Sequence, residues 1–392
     1  MTAEAPSRRH SSVPFWRNVR VLRLAVQIVI VSAIALLALW LWNNLTAGMA
    51  RSNLTFGLDF LDRRAGFDIG ETLIPYTPSD SYGRALAAGL LNTLLISIVG
   101  IVLATLLGIL TGVARLSRNW LVNKIAAGYV EVMRNTPLLV QLVLIWTVLV
   151  NMPTVHNSVA LPGEIYLNQR GLYLPRPIAD AGLGGWLLLL AVVIGAIVVV
   201  GFISGRRAEA GHRPWPVARI GLVALAVAAV GGWLLLRPVA FDVPVLERFN
   251  FVGGVVLSTQ FTALLFGLVI YTAAFIGEVV RGGIQAVRRG QVEAAYAIGL
   301  TPGQTLRLIV FPQALRIIVP PLTSQYLNLA KNSSLAIAIG FPDLFSVSRT
   351  MMNQTGQAVA VIVLVMGIYL AISLFTSLLM NIYNRRVQVL ER

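Results

Sequence analysis

The chain has 392 residues, 57% of them hydrophobic and 12% charged, with a mean hydropathy of +0.77. A soluble domain carries about 25% charged residues, so this composition excludes a water-soluble fold of this size, and its hydrophobicity equally excludes disorder. The net charge of +15 would suggest a polyanion partner in a soluble protein, but in a membrane protein it marks cytoplasmic loops, and the absence of cysteine removes disulfide frameworks, thiolate metal sites and cysteine nucleophiles.

A spanning helix needs about 20 largely apolar residues. Eight stretches qualify, near 22–42, 85–113, 124–150, 186–204, 217–236, 256–280, 313–339 and 359–382. The expected fold is therefore an all-α, polytopic membrane protein. Residues 1–21 read as a short basic terminus, followed by a span at 22–42. That span is too long for a cleavable signal, and Trp40-Leu41-Trp42 marks an interfacial belt, so it reads as a retained anchor. Residues 43–84 mix Asp59, Asp62, Asp68, Glu71 and Asp80 with four arginines and read as a loop on the outer, periplasmic face. The stretch 151–185 is rich in proline and glycine and reads as loop as well. Residues 182–236 are almost pure Leu, Val, Ala and Ile around two spans, which suits an inserted hairpin facing lipid. Span seven is expected to break at Pro320-Pro321, which cannot donate backbone hydrogen bonds.

The positive residues orient the spans. With the amino terminus cytoplasmic, 20 of the 31 fall on inside segments, among them Arg8, Arg9, Arg17, Arg213 and Arg392, and 9 on outside segments. Both termini are then cytoplasmic. Arg134 and Lys331 are left within apolar stretches. An ionisable group there usually faces a polar cavity or a partner. Two readings of Arg134 stand side by side: it lines a path for a charged solute, or it is neutralised by Glu131 three residues earlier on the same helix face. Lys331 follows Gln325 and Asn328 and precedes Asn332, Ser333 and Ser334, a polar run suited to a cavity inside the membrane or to hydrogen bonds with a second subunit. Glu278 and Arg281 are expected to form a surface or interface ion pair of little energetic weight. His10, His156 and His212 are scattered over loops and do not make a metal site.

The connection at 281–312 carries the most information. Residues 291–298 favour a helix, Gly299 stops it, and Thr301-Pro302 with Gln304 starts another through a capping box. Small alanines and Glu293 suit a helix that docks in a groove of another protein.

Within this connection, Glu293-Ala294-Ala295, Gly299, Ile309 and Phe311-Pro312 resemble the EAA loop of ABC importer membrane subunits. Arg134-Asn135-Thr136-Pro137-Leu138-Leu139-Val140-Gln141 is similar to the corresponding run of the polar amino-acid permeases, and Thr272–Gln285 to their approach to the EAA loop. An inserted hairpin makes the chain most similar to the Q-type permeases of general L-amino-acid importers. The resemblance implies a type I importer core of five helices within residues 85–392, preceded by an extra span and interrupted by the hairpin. It implies ATPase coupling through Glu293, Ala294, Ala295, Gly299 and Pro312, and a substrate path along Arg134, Gln141, Gln325, Asn328, Lys331, Asn332, Ser333 and Ser334. The implied partners are a second permease subunit, favoured as a different chain, two cytoplasmic ATPase subunits, a periplasmic amino-acid-binding protein and membrane lipid. The implied location is a bacterial inner membrane.

The chain has no Gly-x-x-x-x-Gly-Lys-Ser/Thr loop, so ATP and Mg belong on the ATPase, and the chain itself needs no cofactor and is no enzyme. Asn332 stands where members carrying cationic substrates have Asp, which argues against an exclusive preference for arginine or lysine. The alternative is a stand-alone secondary transporter or channel for small polar solutes. It would want inverted repeats or coupling carboxylates within the spans, and Glu131 alone is found there. A nucleic-acid binder is excluded because the arginines are divided among five short inside segments.

Overall fold

The computed structural model describes residues 19–51, 57–210 and 215–388. Expectations for Arg8, Arg9, His10, Arg17, His212, Arg213 and Arg392 lie outside these residues. Twelve α-helices are described: α1 (Val19–Arg51), α2 (Tyr82–Ala114), α3 (Trp120–Asn135), α4 (Leu138–Val150), α5 (Gly182–Glu209), α6 (Val217–Leu236), α7 (Thr259–Gln285), α8 (Arg289–Ala297), α9 (Pro302–Thr305), α10 (Phe311–Asn332), α11 (Leu344–Thr355) and α12 (Ala358–Gln388). Seven helical stretches are long and apolar enough to cross a membrane, eight with the bent pair α3–α4 taken as one span.

The expected third span is not one straight helix. Its two halves meet at 106° across Thr136-Pro137. The seventh span also departs from expectation, because α10 runs unbroken through Pro320 and Pro321. Its irregularities lie at the ends instead. A π-helical turn occupies Leu306–Val310 just before Pro312, and a 3-10 segment, Ser333–Ile339, follows α10. The missing N–H of Pro312 favours this wider turn, in which Phe311 N–H donates to the Leu306 carbonyl five residues back.

Helix α7 is the most enclosed span and packs against α2, α3, α4 and α10. Its contact with α2 is the most extensive in the bundle and rests on small residues. Along α2, Gly100, Ala104, Gly108 and Gly112 recur every fourth position and form one ridge. A Cβ on Gly108 would lie 2.5 Å from Ile276 Cγ2, and one on Gly112 would lie 2.7 Å from Val280 Cβ. From the other side, Ala273 is fully buried and Gly277 faces Thr111. Small residues at four-residue spacing let helix backbones approach where lipid supplies no hydrophobic drive. Arg115, just past the end of α2, then pairs with Glu278 of α7, which also takes Arg281 Nη2 at 2.8 Å. The expected Glu278–Arg281 pair is formed, but Glu278 is largely buried and shared with Arg115 of the neighbouring helix end, so it carries more weight than an exposed pair.

Residues 57–81 fold over the Tyr82 end of the bundle. Phe60, Ala65 and Ile69 form a second core with Leu86 of α2, Leu344, Val347 and Met351 of α11, and Val361 of α12. The proline- and glycine-rich stretch after α4 is not loop. It forms β1 (Val159–Leu161), β2 (Ile165–Asn168), β3 (Gly171–Leu174) and β4 (Arg176–Ala179). Strands β5 (Val239–Asp242), β6 (Val245–Glu247), β7 (Asn250–Val252) and β8 (Val255–Ser258) follow α6. The sheet order is β1-β2-β3-β8, with separate β4–β5 and β6–β7 pairs. Antiparallel pairing of β4 with β5, and the Arg176–Asp242 ion pair at 2.9 Å, close the base of the α5–α6 hairpin. The hairpin packs on itself, with Gly232 against Trp186 and Trp186 edge-on to Trp233, while its outer face exposes Leu188, Val198, Leu222 and Leu235.

Two outcomes test this packing. Gly112→Val should destabilise the solubilised protein by about 1–3 kcal/mol through overpacking, seen as a lower thermal unfolding midpoint. Glu278→Gln should cost about 3–5 kcal/mol, because Arg115 and Arg281 lose their shared carboxylate in a largely buried place. Glu278→Asp, which keeps the charge, should cost less on the same measurement.

Candidate functional site

Arg134 sits in the last turn of α3, directly before the break. Its guanidinium lies over the Phe275 ring of α7, 5.3 Å from the centroid. Arg115, Glu131, Arg134, Asn135, Phe275 and Glu278 line a cleft of about 420 Å³. Among the described residues no ion pair joins Glu131 to Arg134. The mutual neutralisation that their spacing allowed is therefore not formed, because Arg134 turns onto the aromatic face of another helix. Both side chains are exposed in the single chain, as is Asn135. Charged groups left uncovered on a candidate span need water, a polar cavity or a second protein against them.

Gln141 behaves differently from its expected place on the path. It is 5% exposed and does not line the cleft. Its Nε2 donates to the Met133 and Thr136 carbonyls, each at 3.0 Å.

The polar run of α10 forms a second group. Ser324, Asn328 and Lys331 occupy one exposed stripe at i, i+4, i+7 spacing, with Gln325 and Asn332 half-buried beside it. The two serines close the helix end: Ser333 Oγ donates to the Ala330 carbonyl and Ser334 Oγ to the Lys331 carbonyl, both at 2.8 Å. Ser333 is fully buried and so lies off the stripe. Lys331 does not line the Arg134 cleft. The sequence candidates thus resolve into two places, the α3–α4 break and the outer face of α10.

The α8–α9 element forms a third group. Gly299 ends α8 with φ +83°, a left-handed turn that favours glycine. Thr301 N–H donates to Gln304 Oε1 at 2.9 Å, and Gln304 N–H donates back to Thr301 Oγ1, with Pro302 in the first turn. Glu293 and Ala294 are exposed, Ala295 is buried and Pro312 is half-buried. Tyr296, Ile298 and Leu306 expose apolar surface around them. A stiff, capped helix pair with an apolar surface and one carboxylate is suited to seating in a groove of another protein.

Several participants carry no local sequence signal. Phe275 reads only as another apolar residue of span six, and Arg115 as one more inside charge. Asp343 is fully buried, caps α11 through Ser346 N–H at 2.8 Å, and is pushed up to about 6 by burial against the opposing pull of these backbone donors. Glu71, on the flap over the Tyr82 end, is likewise raised by burial. Among the described residues no cluster of His, Asp and Glu is arranged to hold a metal. His156 packs edge-on against Phe249.

Residues 214–389 match the family described as the inner membrane component of binding-protein-dependent transport systems. The chain is 47% identical to the general L-amino acid transport system permease protein AapQ of Rhizobium johnstonii, over 90% of this chain and 89% of that one. It is 46% identical to the putative amino-acid ABC transporter permease protein YhdX of Escherichia coli, over 93% and 94%. It is 42% identical to the glutamate/glutamine/aspartate/asparagine transport system permease protein BztB of Rhodobacter capsulatus, over 94% of each chain. With likeness of this degree along nearly its whole length, the chain belongs to the polar amino-acid permeases of ATP-binding-cassette importers, multi-pass proteins of the inner membrane.

Proposed function

We propose that the chain forms one half of a permease pair that carries L-amino acids inward across the membrane. The observation that carries this reading is the uncovered polar surface of its spans: Arg134 and Asn135 at the α3–α4 break, and Asn328 and Lys331 on α10. A second permease, of different sequence, would cover these faces and enclose a polar route. The relatives named for general L-amino acids and for glutamate, glutamine, aspartate and asparagine support a broad amino-acid substrate class. Every such substrate has an α-carboxylate, which a cationic side chain on the route attracts, Arg134 at the α3–α4 break and Lys331 separately on α10.

The arginine distribution supports cytoplasmic termini, which puts α8 and α9 on the inside and the β strands outside. The α8–α9 element then meets one of two ATPase subunits through its exposed Glu293 and Ala294, with Gly299 setting the turn and Ala295 and Pro312 seating the element on this chain. ATP and Mg bind those subunits and not this chain. The outer surface receives a soluble amino-acid-binding protein. ATP-driven closure of the ATPase pair moves the capped element, and the permease pair turns from inward to outward access. The capping box matters here because a frayed helix end would absorb the movement.

Gly299→Val, which strains a left-handed turn by about 1–2 kcal/mol, combined with Glu293→Ala should leave membrane insertion intact. In vesicles holding the assembled importer, this double variant should hydrolyse ATP without taking up substrate; normal uptake would remove the coupling role. Arg134→Gln and Lys331→Gln should each raise the uptake KM for amino acids by roughly tenfold, the loss of about 1.4 kcal/mol of carboxylate attraction. Unchanged KM in both would place the path elsewhere.

A further inference from the structure

We propose that Gln141 is a positioning residue for the Arg134 site: its carboxamide supplies donors to two of the carbonyls that the Pro137 break leaves without their helical partners, and so sets the angle at which α3 presents Arg134. This rests on the reading that Arg134 lies on the substrate path. In an unbroken helix the Met133 carbonyl would accept from the N–H of residue 137, and proline has none. The Thr136 carbonyl would accept from Val140 N–H, but that group donates to the Pro137 carbonyl at 3.0 Å. These are the two carbonyls that Gln141 Nε2 reaches. Both amide hydrogens are spent on them, and the side chain is buried, so it does not meet a solute.

The neighbouring contacts explain why one side chain controls the angle. Tyr129 OH ties α3 to the Ile270 carbonyl of α7. On α4, Leu142 fills the space over Gly267, where a Cβ would lie 2.5 Å from Leu142 Cδ2. The two halves are therefore held to α7 less than one turn apart, and Gln141 closes the corner between them. Inside a membrane the freed carbonyls have no water to turn to, which makes the amide decisive.

The assembled importer, reconstituted in vesicles, provides the test. This chain has no cysteine, so Val132→Cys and Leu144→Cys, both at exposed positions, take nitroxide labels on either side of the break once any cysteines of the other subunits are replaced. Pulsed electron resonance should give one narrow distance with Gln141 and a broadened one with Gln141→Leu, which keeps the bulk but donates nothing. An unchanged narrow distance would overturn the proposal. A second measurement uses Pro137→Ala, which returns a backbone donor to Met133. The fall in thermal midpoint caused by Gln141→Leu should shrink in the Pro137→Ala background, and an equal fall in both backgrounds would overturn the donor-replacement argument. Where the distance broadens, uptake at low substrate should fall by roughly tenfold to a hundredfold, as for other loosened sites. A broadened distance with unchanged uptake would leave the corner assigned to Gln141 and remove Arg134 from the path, so the two readings fail separately.

Discussion

The close approach of α2 to α7 is the contact on which the rest of the bundle depends. In lipid, helices gain nothing from burying apolar side chains against each other, since the lipid tails are equally apolar. What holds two spans together is dispersion at short range, and that requires backbones near each other. Gly108 and Gly112 remove the side-chain bulk that would keep α2 and α7 apart, while Gly100 of the same row receives Leu329 of α10. With α2 seated, α7 becomes a fixed post. Its Gly267 receives Leu142, its Ile270 carbonyl receives Tyr129, its Phe275 lies beneath Arg134, and its Glu278 is clamped by Arg115 and Arg281. Each feature of the α3–α4 site is a fitting on that post.

A second constraint is that a membrane interior offers no water to unpaired backbone groups. The chain nevertheless places prolines in two of its spans and departs from a regular helix next to both Pro137 and Pro312. At Pro137 it meets the constraint with the Gln141 amide, and before Pro312 it widens to a π-helical turn in which Phe311 N–H reaches the Leu306 carbonyl. Pro320 and Pro321 fall within a helix that continues through them. Proline alone therefore does not decide where a span breaks. The difference lies in the surroundings: Thr136-Pro137 is a corner held to α7 on both sides, whereas Pro320 and Pro321 lie on an exposed face with helix on either side.

The third feature is what the chain leaves open. The polar side chains of the α3–α4 break and of the Ser324–Asn328–Lys331 stripe stay uncovered, while lipid-type surface covers α5, α6 and most of α12. A membrane protein divides its outer surface in this way when one part meets lipid and another meets a second subunit or an aqueous route. The apolar patch on the capped α8–α9 element lies apart from both groups, so the surface offers distinct faces to distinct neighbours.

Much of this was legible in the residues. The apolar runs located the spans because membrane thickness fixes their length. The capped turn at 299–304 could be read atom by atom, since Gly299, Thr301, Pro302 and Gln304 act on backbone groups within a few positions of themselves. The hairpin at 182–236 was visible for a similar reason, its residues being apolar on every side. The β strands were missed because each is only three or four residues long, too short to show alternation, and because β3–β8 and β4–β5 pair across the inserted hairpin. The bend of α3–α4, the buried place of Gln141, the turn of Arg134 onto Phe275 and the sharing of Glu278 by two arginines were likewise beyond reach. Composition and short-range pattern were enough for the spans, the caps and the polar character of the intramembrane residues. Which of those polar residues are spent inside the fold, as Gln141 and Ser333 are, and which stay uncovered, as Arg134 and Lys331 do, was settled by packing. The partners of Gln141 and Ser333 are near in sequence, at Met133, Thr136 and Ala330, but the bend at Thr136-Pro137 and the packing that buries both side chains decide that these carbonyls, and not a solute, are what they meet.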